Sequence, residues 1–458
     1  MSNTKLFGTD GIRGIANRHP MTAEIALQVG RAVAHYFRGS GNRVDKRTVV
    51  LIGKDTRRSS YMIEQALAAG ITSQGAHALL VGPMPTPGVA FLTRSMRADA
   101  GIMVSASHNT YEYNGIKIFG HEGFKLGDEI EASIERLILS DELAETLPTG
   151  AELGKAKRID DAMGRYVVHA KSSFPQNMDL RGLRIVLDCA HGAAYKFAPV
   201  VFEELGAELV LLANHPDGTN INSNCGALHP EHMAEQVQKY RADLGIALDG
   251  DADRVILVDE KGERVDGDQL MAILAVDLSE RGKLSRQTLV ATPMSNMGLE
   301  IALKKHGIHV VYAGIGDRNV VETMLRENYN LGGEQSGHVI HLENGSTGDG
   351  VVAALSVISV MRRKQQPLSV LKSLMTIVPQ VLRNIRVQRK PPLDEIDEIQ
   401  NEINRITKGL GDKGRLLVRY SGTEPLCRIM IEGEDELAIQ DYADKLAGMI
   451  SKQLTHIN

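Results

Sequence analysis

Leu244-Gly245-Ile246-Ala247-Leu248-Asp249-Gly250-Asp251-Ala252-Asp253-Arg254-Val255-Ile256-Leu257-Val258 is the most informative stretch of this chain. An apolar run leads in and another leads out, and short apolar runs bounded by polar turns read as buried strands. Between them, three carboxylates sit at alternate positions, separated only by Gly250 and Ala252. Two like charges about 4 Å apart repel by about 4 kcal/mol near a protein surface. Three in one short loop therefore need a cancelling charge, and a hard divalent cation with oxygen ligands supplies it. Two plainer readings compete. One is a solvated acidic turn. The other is a calcium loop, since Asp249, Asp251, Asp253 and Glu260 match its acidic positions. That match fails at Arg254, where a sharp-turn glycine is required, and again because Val255 to Val258 reads as a strand. The favoured reading is one Mg2+ held by Asp249, Asp251 and Asp253.

Towards the N-terminus, strand-like and helix-like segments alternate. Lys46 to Gly53 reads as a strand running into the loop Lys54-Asp55-Thr56-Arg57-Arg58. Ser59 or Ser60 is the expected cap of a helix through about Ser73. Ala100 to Ser105 is a second buried strand, and the polar stretch Asp141 to Lys157, with Pro148 and Gly150, reads as a linker. A second unit opens with a strand, Arg184 to Asp188. It breaks at His191-Gly192 and continues as a helix through Leu205; residues 206–212 and Leu244 to Leu248 add strands. A third unit has strands near Val255, Leu289 and Val310, with helices at Gln269 to Glu280 and Leu299 to His306. From about Val378 the order changes to strand, helix (Leu393 to Ile406), strand, strand, helix (Asp435 to Lys452). The expected class is therefore α/β with open sheets, followed by a smaller C-terminal α+β domain. The expected boundaries are 1–152, 153–254, 255–372 and 373–458. Ligands in such sheets bind at loops beyond the strand ends.

Composition narrows the function. No tryptophan and few aromatics argue against stacking of single-stranded bases. A net charge of −5 argues against binding a phosphate backbone, so an anionic substrate needs local arginines. Cys189, Cys225 and Cys427 match no zinc or disulfide pattern, which points to a reducing compartment. The stretch Met1 to Gly14 has no apolar signal region, and no apolar run reaches membrane-span length. The expected setting is the cytoplasm, with neither nucleic acid nor membrane as partner.

Three further loops carry chemistry. Ser105-Ala106-Ser107-His108-Asn109 follows the Ala100 strand, with Lys117 shortly beyond. Small residues at a strand end expose a serine hydroxyl, although the Ser-His pair seen alone reads more readily as a polar turn with His108 as a hydrogen-bonded spacer; no nucleophile-elbow glycines surround Ser107, which disfavours a hydrolase triad. Gly332-Gly333-Glu334-Gln335-Ser336-Gly337-His338 combines glycines for close approach with Glu334 and Ser336, which suit sugar hydroxyls, and His338, which titrates near neutral pH. A tight inter-strand turn is the plainer alternative. Arg419-Tyr420-Ser421-Gly422-Thr423-Glu424-Pro425, followed by Arg428, suits a phosphate better than a charged hairpin turn.

Together these motifs resemble the α-D-phosphohexomutase superfamily over essentially the whole chain. Within it, the opening Phe7-Gly8-Thr9-Asp10-Gly11-Ile12-Arg13-Gly14 resembles the bacterial branch acting on glucosamine phosphates. So do Pro216-Asp217-Gly218-Thr219-Asn220-Ile221-Asn222 with Cys225-Gly226, and the Gly332 to His338 loop. The resemblance implies three similar α/β domains with open mixed sheets plus the smaller C-terminal domain, around a central cleft. It makes Ser107 a phosphoserine that gives and receives a phosphoryl group, and adds it to Asp249, Asp251 and Asp253 as a metal ligand through its phosphate. Lys117 and His338 become proton-transfer candidates, and Arg13 and Arg254 line the reacting phosphate. Glu334 and Ser336 bind sugar hydroxyls, while Arg419, Ser421, Gly422, Thr423 and Arg428 grip the non-reacting phosphate. The implied reaction interconverts hexosamine 6- and 1-phosphates through a 1,6-bisphosphate, feeding amino-sugar nucleotide and cell-wall synthesis. Relatives are often dimers, so a homodimer is an expected assembly. One departure is Thr110, where many relatives carry proline. Rival readings are the same exchange on glucose or mannose phosphates, a metal-dependent sugar phosphatase, and a non-catalytic sugar-phosphate sensor.

Overall fold

The computed structural model describes residues 5–8, 10–38, 47–140, 142–145, 147–421 and 425–455. Among these, four sheets form in chain order. The first has seven strands, in the order Phe7–Gly8, Gly11–Ile15, Tyr113–Gly120, Ala100–Val104, Val49–Lys54, His77–Pro83, Ala156–Arg158. Its inner strands run parallel, and Tyr113–Gly120 returns antiparallel beside Ala100–Val104. Both faces of this sheet are covered, which is why its central strands Ala100–Val104 and Val49–Lys54 are apolar except for the terminal Lys54.

The second sheet contains Arg264–Val265, Val255–Asp259, Leu244–Leu248, Arg184–Asp188 and Glu208–Leu212, in that order. The third contains His309–Tyr312, Thr288–Ala291, Leu331–Gly333 and Val339–His341. All three sheets mix parallel and antiparallel pairs and are packed with helices. The last sheet is antiparallel throughout: Gln380–Arg386, Leu426–Gly433 and Gly414–Tyr420. It packs against the helices Asp397–Leu410 and Glu436–Leu454 around its own core of residues such as Ile399, Ile429 and Leu446. The fold is thus three α/β layers in sequence plus a smaller C-terminal unit.

Several expectations shift. Val255–Asp259 does not open the third unit. It pairs antiparallel with Leu244–Leu248, register Leu248↔Val255, so the acidic loop is the turn of a hairpin within the second sheet. The division expected after residue 254 therefore moves past Val265. Ala156–Arg158 likewise pairs with His77–Pro83 in the first sheet, beyond the division expected after residue 152. Neither Ser59 nor Ser60 caps its helix, which begins at Arg58; the Ser60 hydroxyl donates instead to Asp55 Oδ1 at 2.7 Å. The helix expected directly after His191-Gly192 starts only at Phe197. The intervening turn supports the acidic loop: the Ala193 N–H donates to the Gly250 carbonyl at 2.8 Å, and a Cβ on Gly192 would meet that oxygen at 2.4 Å.

Candidate active site

Ser107 turns the chain just after the strand Ala100–Val104. Its φ is +51°, a conformation that costs a non-glycine residue about 1–3 kcal/mol unless its surroundings hold it. The side chain is buried, and its hydroxyl donates to Asp249 Oδ2 at 2.7 Å. Gly250 is required here, because a Cβ on it would lie 2.5 Å from the Ser107 carbonyl oxygen. The strand ends of two sheets thus bring the serine and the acidic hairpin turn together.

Asp249, Asp251 and Asp253 are all buried, and one oxygen from each lies within 4.8 Å of the others. Burial, then the charges of Asp253 and Asp251, push the Asp249 carboxyl well above its usual pKa. Asp251 Oδ1 and Asp253 Oδ1 are buried without hydrogen-bond partners among the described residues. Unsatisfied buried oxygens and mutually repelling carboxylates fit a hard divalent cation.

Protein cations balance part of this charge. Lys117, from the strand Tyr113–Gly120, donates to Asp251 Oδ2 at 2.9 Å and lies 3.5 Å from Asp253 Oδ2 and 3.4 Å from Asp10 Oδ2. Burial opposes its charge, but the three carboxylates outweigh burial and raise its pKa, so it stands as an ammonium. Thr86 Oγ1 also donates to Asp251 Oδ2, at 2.5 Å. His338 is buried between Asp253, 3.7 Å from Nδ1, and Asp317, 3.7 Å from Nε2. Burial lowers its pKa, and the two acids more than reverse that. In the neutral ring the proton sits on Nδ1, because the Gly348 N–H donates to Nε2 at 3.0 Å. His108, beside Ser107, is held neutral: burial, then Arg254 and Arg13, lower its pKa to about 4. Arg13 pairs with Asp10. The Arg254 N–H donates to Asp249 Oδ1 at 3.3 Å.

Arg254 also opens onto a cleft of about 620 Å3, lined as well by Glu334, Ser336, Arg419 and Arg428. Glu334 and Ser336 lie in the turn between Leu331–Gly333 and Val339–His341. Gly337 has φ +92°, and a Cβ there would meet the Val255 carbonyl oxygen at 2.0 Å, so this turn seats directly on the acidic hairpin. Glu334 Oε1 accepts from the Gly316 N–H at 3.2 Å, and Ser336 Oγ is buried without a partner among the described residues. Arg419 and Arg428 occupy directly opposed cross-strand positions. Opposed like charges destabilise a sheet, and burial followed by Arg428 lowers the Arg419 pKa. An anion between them relieves both. Ser421 is buried, and its carbonyl accepts from Lys390 Nζ at 2.6 Å. Gly422 and Thr423 lie outside the described residues.

The structure adds residues that the sequence reading passed over. Lys125 Nζ donates to Asp317 Oδ2 at 2.6 Å and also pairs with Asp10, tying the first layer to the third beside His338. Arg264, Gln269 and Gln380 line the cleft. A signal for Asp317 existed: it follows Gly314-Ile315-Gly316 beyond a strand end, the place where ligand loops form.

Comparison with known proteins shows the family. Family models for the phosphoglucomutase/phosphomannomutase alpha/beta/alpha domains I, II and III match residues 4–145, 164–262 and 266–378. The model for the C-terminal domain matches residues 382–449. A phosphoglucosamine mutase of Syntrophotalea carbinolica is 57% identical over 450 residues, covering 98% of each chain. One of Geobacter metallireducens is 56% identical, covering 98% of this chain and 99% of its own. In fold, a phosphoglucomutase/phosphomannomutase family protein from Burkholderia thailandensis aligns with a TM-score of 0.80 at 23% identity, over 98% of this chain and 97% of its own. The Aspergillus fumigatus N-acetylphosphoglucosamine mutase, solved with GlcNAc-6P and magnesium, aligns at 0.64 and 18%, over 98% and 95%. The chain belongs to the α-D-phosphohexomutase superfamily, within the phosphoglucomutase/phosphomannomutase family, and is a mutase of the isomerase class.

Proposed function

We propose that this mutase interconverts glucosamine 6-phosphate and glucosamine 1-phosphate through a phosphoserine at Ser107. The observation that carries the reading is the Ser107 hydroxyl 2.7 Å from the buried acidic triad, beside a cleft that ends in two opposed arginines. The amino sugar is supported by full-length relatives named phosphoglucosamine mutase. Asp249, Asp251 and Asp253 would hold Mg2+, which neutralises charge on a phosphoryl group carried by Ser107.

The substrate's 6-phosphate binds Arg419 and Arg428, with Ser421, Gly422 and Thr423 completing the grip. Glu334 and Ser336 take the sugar's polar groups, and Glu334 suits the C2 ammonium. The Oγ–P bond of phosphorylated Ser107 breaks as a bond from the sugar's 1-oxygen to phosphorus forms. The 1-hydroxyl loses its proton and Ser107 ends as the free hydroxyl. Lys117, as an ammonium, can supply a proton, and His338, flanked by two carboxylates, is the second carrier. Arg13 and Arg254 balance charge on the moving group. The 1,6-bisphosphate then reverses its orientation and returns its 6-phosphoryl group to Ser107. The enzyme acts in the cytoplasm as a homodimer, and its product supplies amino-sugar nucleotides for the cell wall.

Intact mass before and after substrate, with the added phosphate mapped, tests the reading. A phosphate on Ser107 that exchanges with substrate is expected; none there under turnover would overturn it. Relative kcat/KM on glucosamine, glucose and mannose phosphates tests the sugar, with glucosamine expected to lead.

A further inference from the structure

Two stretches singled out in the sequence have no role in the chemistry above: the loop Lys54 to Arg58 and the stretch Pro216 to Asn222. The structure brings one side chain from each onto the same two carbonyl oxygens, those of Ser107 and Asn109. Arg57 Nη2 donates to the Ser107 carbonyl at 3.1 Å and to the Asn109 carbonyl at 2.5 Å. Asn222 Nδ2 donates to the same two oxygens, both at 2.9 Å. Arg57 belongs to the first layer and Asn222 to the second, so the serine turn is clasped from both sides.

The clasp is itself fixed. Arg57 is fully buried and ion-paired with Asp55, whose Oδ1 also accepts from the Arg57 N–H and the Ser60 hydroxyl. Arg57 Nη1 reaches Ser105 Oγ at 3.3 Å, and Ser105 Oγ accepts from the Ser107 N–H at 3.0 Å. Asn222 is buried as well, and its N–H donates to the Ala190 carbonyl in the turn that supports the acidic hairpin. Lone neutral hydrogen bonds do not require a buried guanidinium, and a buried ion pair is a poor source of stability. Precise placement is what a planar fork of donors offers.

We propose that Arg57 and Asn222 are positioning residues that hold Ser107 in its left-handed turn, so that its Oγ keeps one location whether or not it carries phosphate. The proposal rests on the phosphoserine reading. A loosened turn misaligns transfer to the sugar and lets water compete for the phosphoryl group.

The test compares the parent with Asn222→Ala, Asn222→Asp and Arg57→Lys. Readouts are kcat, KM for glucosamine 6-phosphate, inorganic phosphate released per turnover, and Tm. Asn222→Asp keeps the shape but turns donors into acceptors; Arg57→Lys keeps the charge but loses the fork. The expected result is a fall in kcat of about 10- to 100-fold, KM close to the parent's, and more phosphate released per turnover. A folded variant with a lower Tm, parental kcat and parental phosphate release would mean a merely structural role and overturn the proposal. Should Arg57→Lys not fold, the two Asn222 variants decide. Mapping phosphate to Ser107 in the parent separates the two failures: its absence sinks the phosphoserine reading, while its presence with unaffected variants sinks the clasp alone.

Discussion

The Ser107 centre and the Arg419–Arg428 pair handle charge in opposite ways. Around Ser107, three acids are matched against Lys117, with His338, Arg254 and Arg13 close by, where three α/β layers meet beside the cleft. On the C-terminal sheet, two half-buried guanidiniums face each other across adjacent strands. The first region draws its members from separate layers that hydrogen-bond to one another. The second sits on a small unit with its own core. It joins the third layer through Asn296, which exchanges hydrogen bonds with the Val378 backbone at 2.9 and 3.0 Å, and through the Arg415 bond to the Ser295 carbonyl at 2.6 Å. On the proposed function, the first region stabilises the reacting group and the second captures an anion. A substitution in the first should therefore act on kcat, and one in the second on KM.

The largest effect expected is from Ser107→Ala, which removes the group that carries the phosphoryl unit. Mutase turnover should vanish, with the bisphosphate present or absent, while substrate still binds; normal conversion by this variant would count decisively against the division of roles. Next is the acidic hairpin. Asp251→Asn should lower kcat by about 10²–10³-fold, as loss of one electrostatic contact in a closed site does. Dialysis against a chelator should stop the parent enzyme, and added Mg2+ should restore it. A KM effect alone in these assays would blur the contrast between the regions.

The arginine pair should respond more mildly. Arg419→Ala loses charge-assisted bonds to the 6-phosphate, worth about 1.5–3 kcal/mol, or roughly 10- to 100-fold in KM. Because the variant also relieves the repulsion with Arg428, its ligand-free Tm should hold or rise. A falling Tm with an unchanged KM would show that the pair serves the sheet and not a ligand.

The smallest effect concerns the joint between the regions. Burial, followed by Asp266, raises the Asp268 pKa to about 7, with Glu432 adding to the rise and the Asn296 N–H opposing it. Its folded pKa exceeds its unfolded one. The folded state therefore binds the extra proton between about pH 4 and pH 7, and stability falls as pH rises through that window. Asp268→Asn should flatten this slope, so that its Tm gains on the parent at pH 8 relative to pH 5. Parallel Tm–pH curves for the two proteins would remove Asp268 from the account.

Much of the site could be read from residue order, for a local reason. The triple aspartate, the Ser107 turn and the Glu334 turn each concentrate their chemistry in a few neighbouring residues beyond a strand, whereas Arg419 and Arg428, read as parts of one loop, stand within two adjacent strands. Alternation of strand and helix likewise revealed the α/β class and the change near Val378. Which strands pair was less accessible. Val255–Asp259 reads equally well as the start of a new unit or the return arm of a hairpin, because side-chain periodicity records burial and not the neighbour.

Residue order alone therefore established that a serine, three acids and a glycine-rich turn with Glu334 occur on loops of an α/β chain, and that an arginine pair follows near its C-terminal end. Tertiary structure alone decided that Ser107 meets Asp249, that Lys125 ties Asp10 to Asp317, and that Arg57 and Asn222 close on the same carbonyls. The physical reason is distance along the chain. Those contacts join residues far apart in sequence, and only packing of the layers brings their donors and acceptors within hydrogen-bond reach.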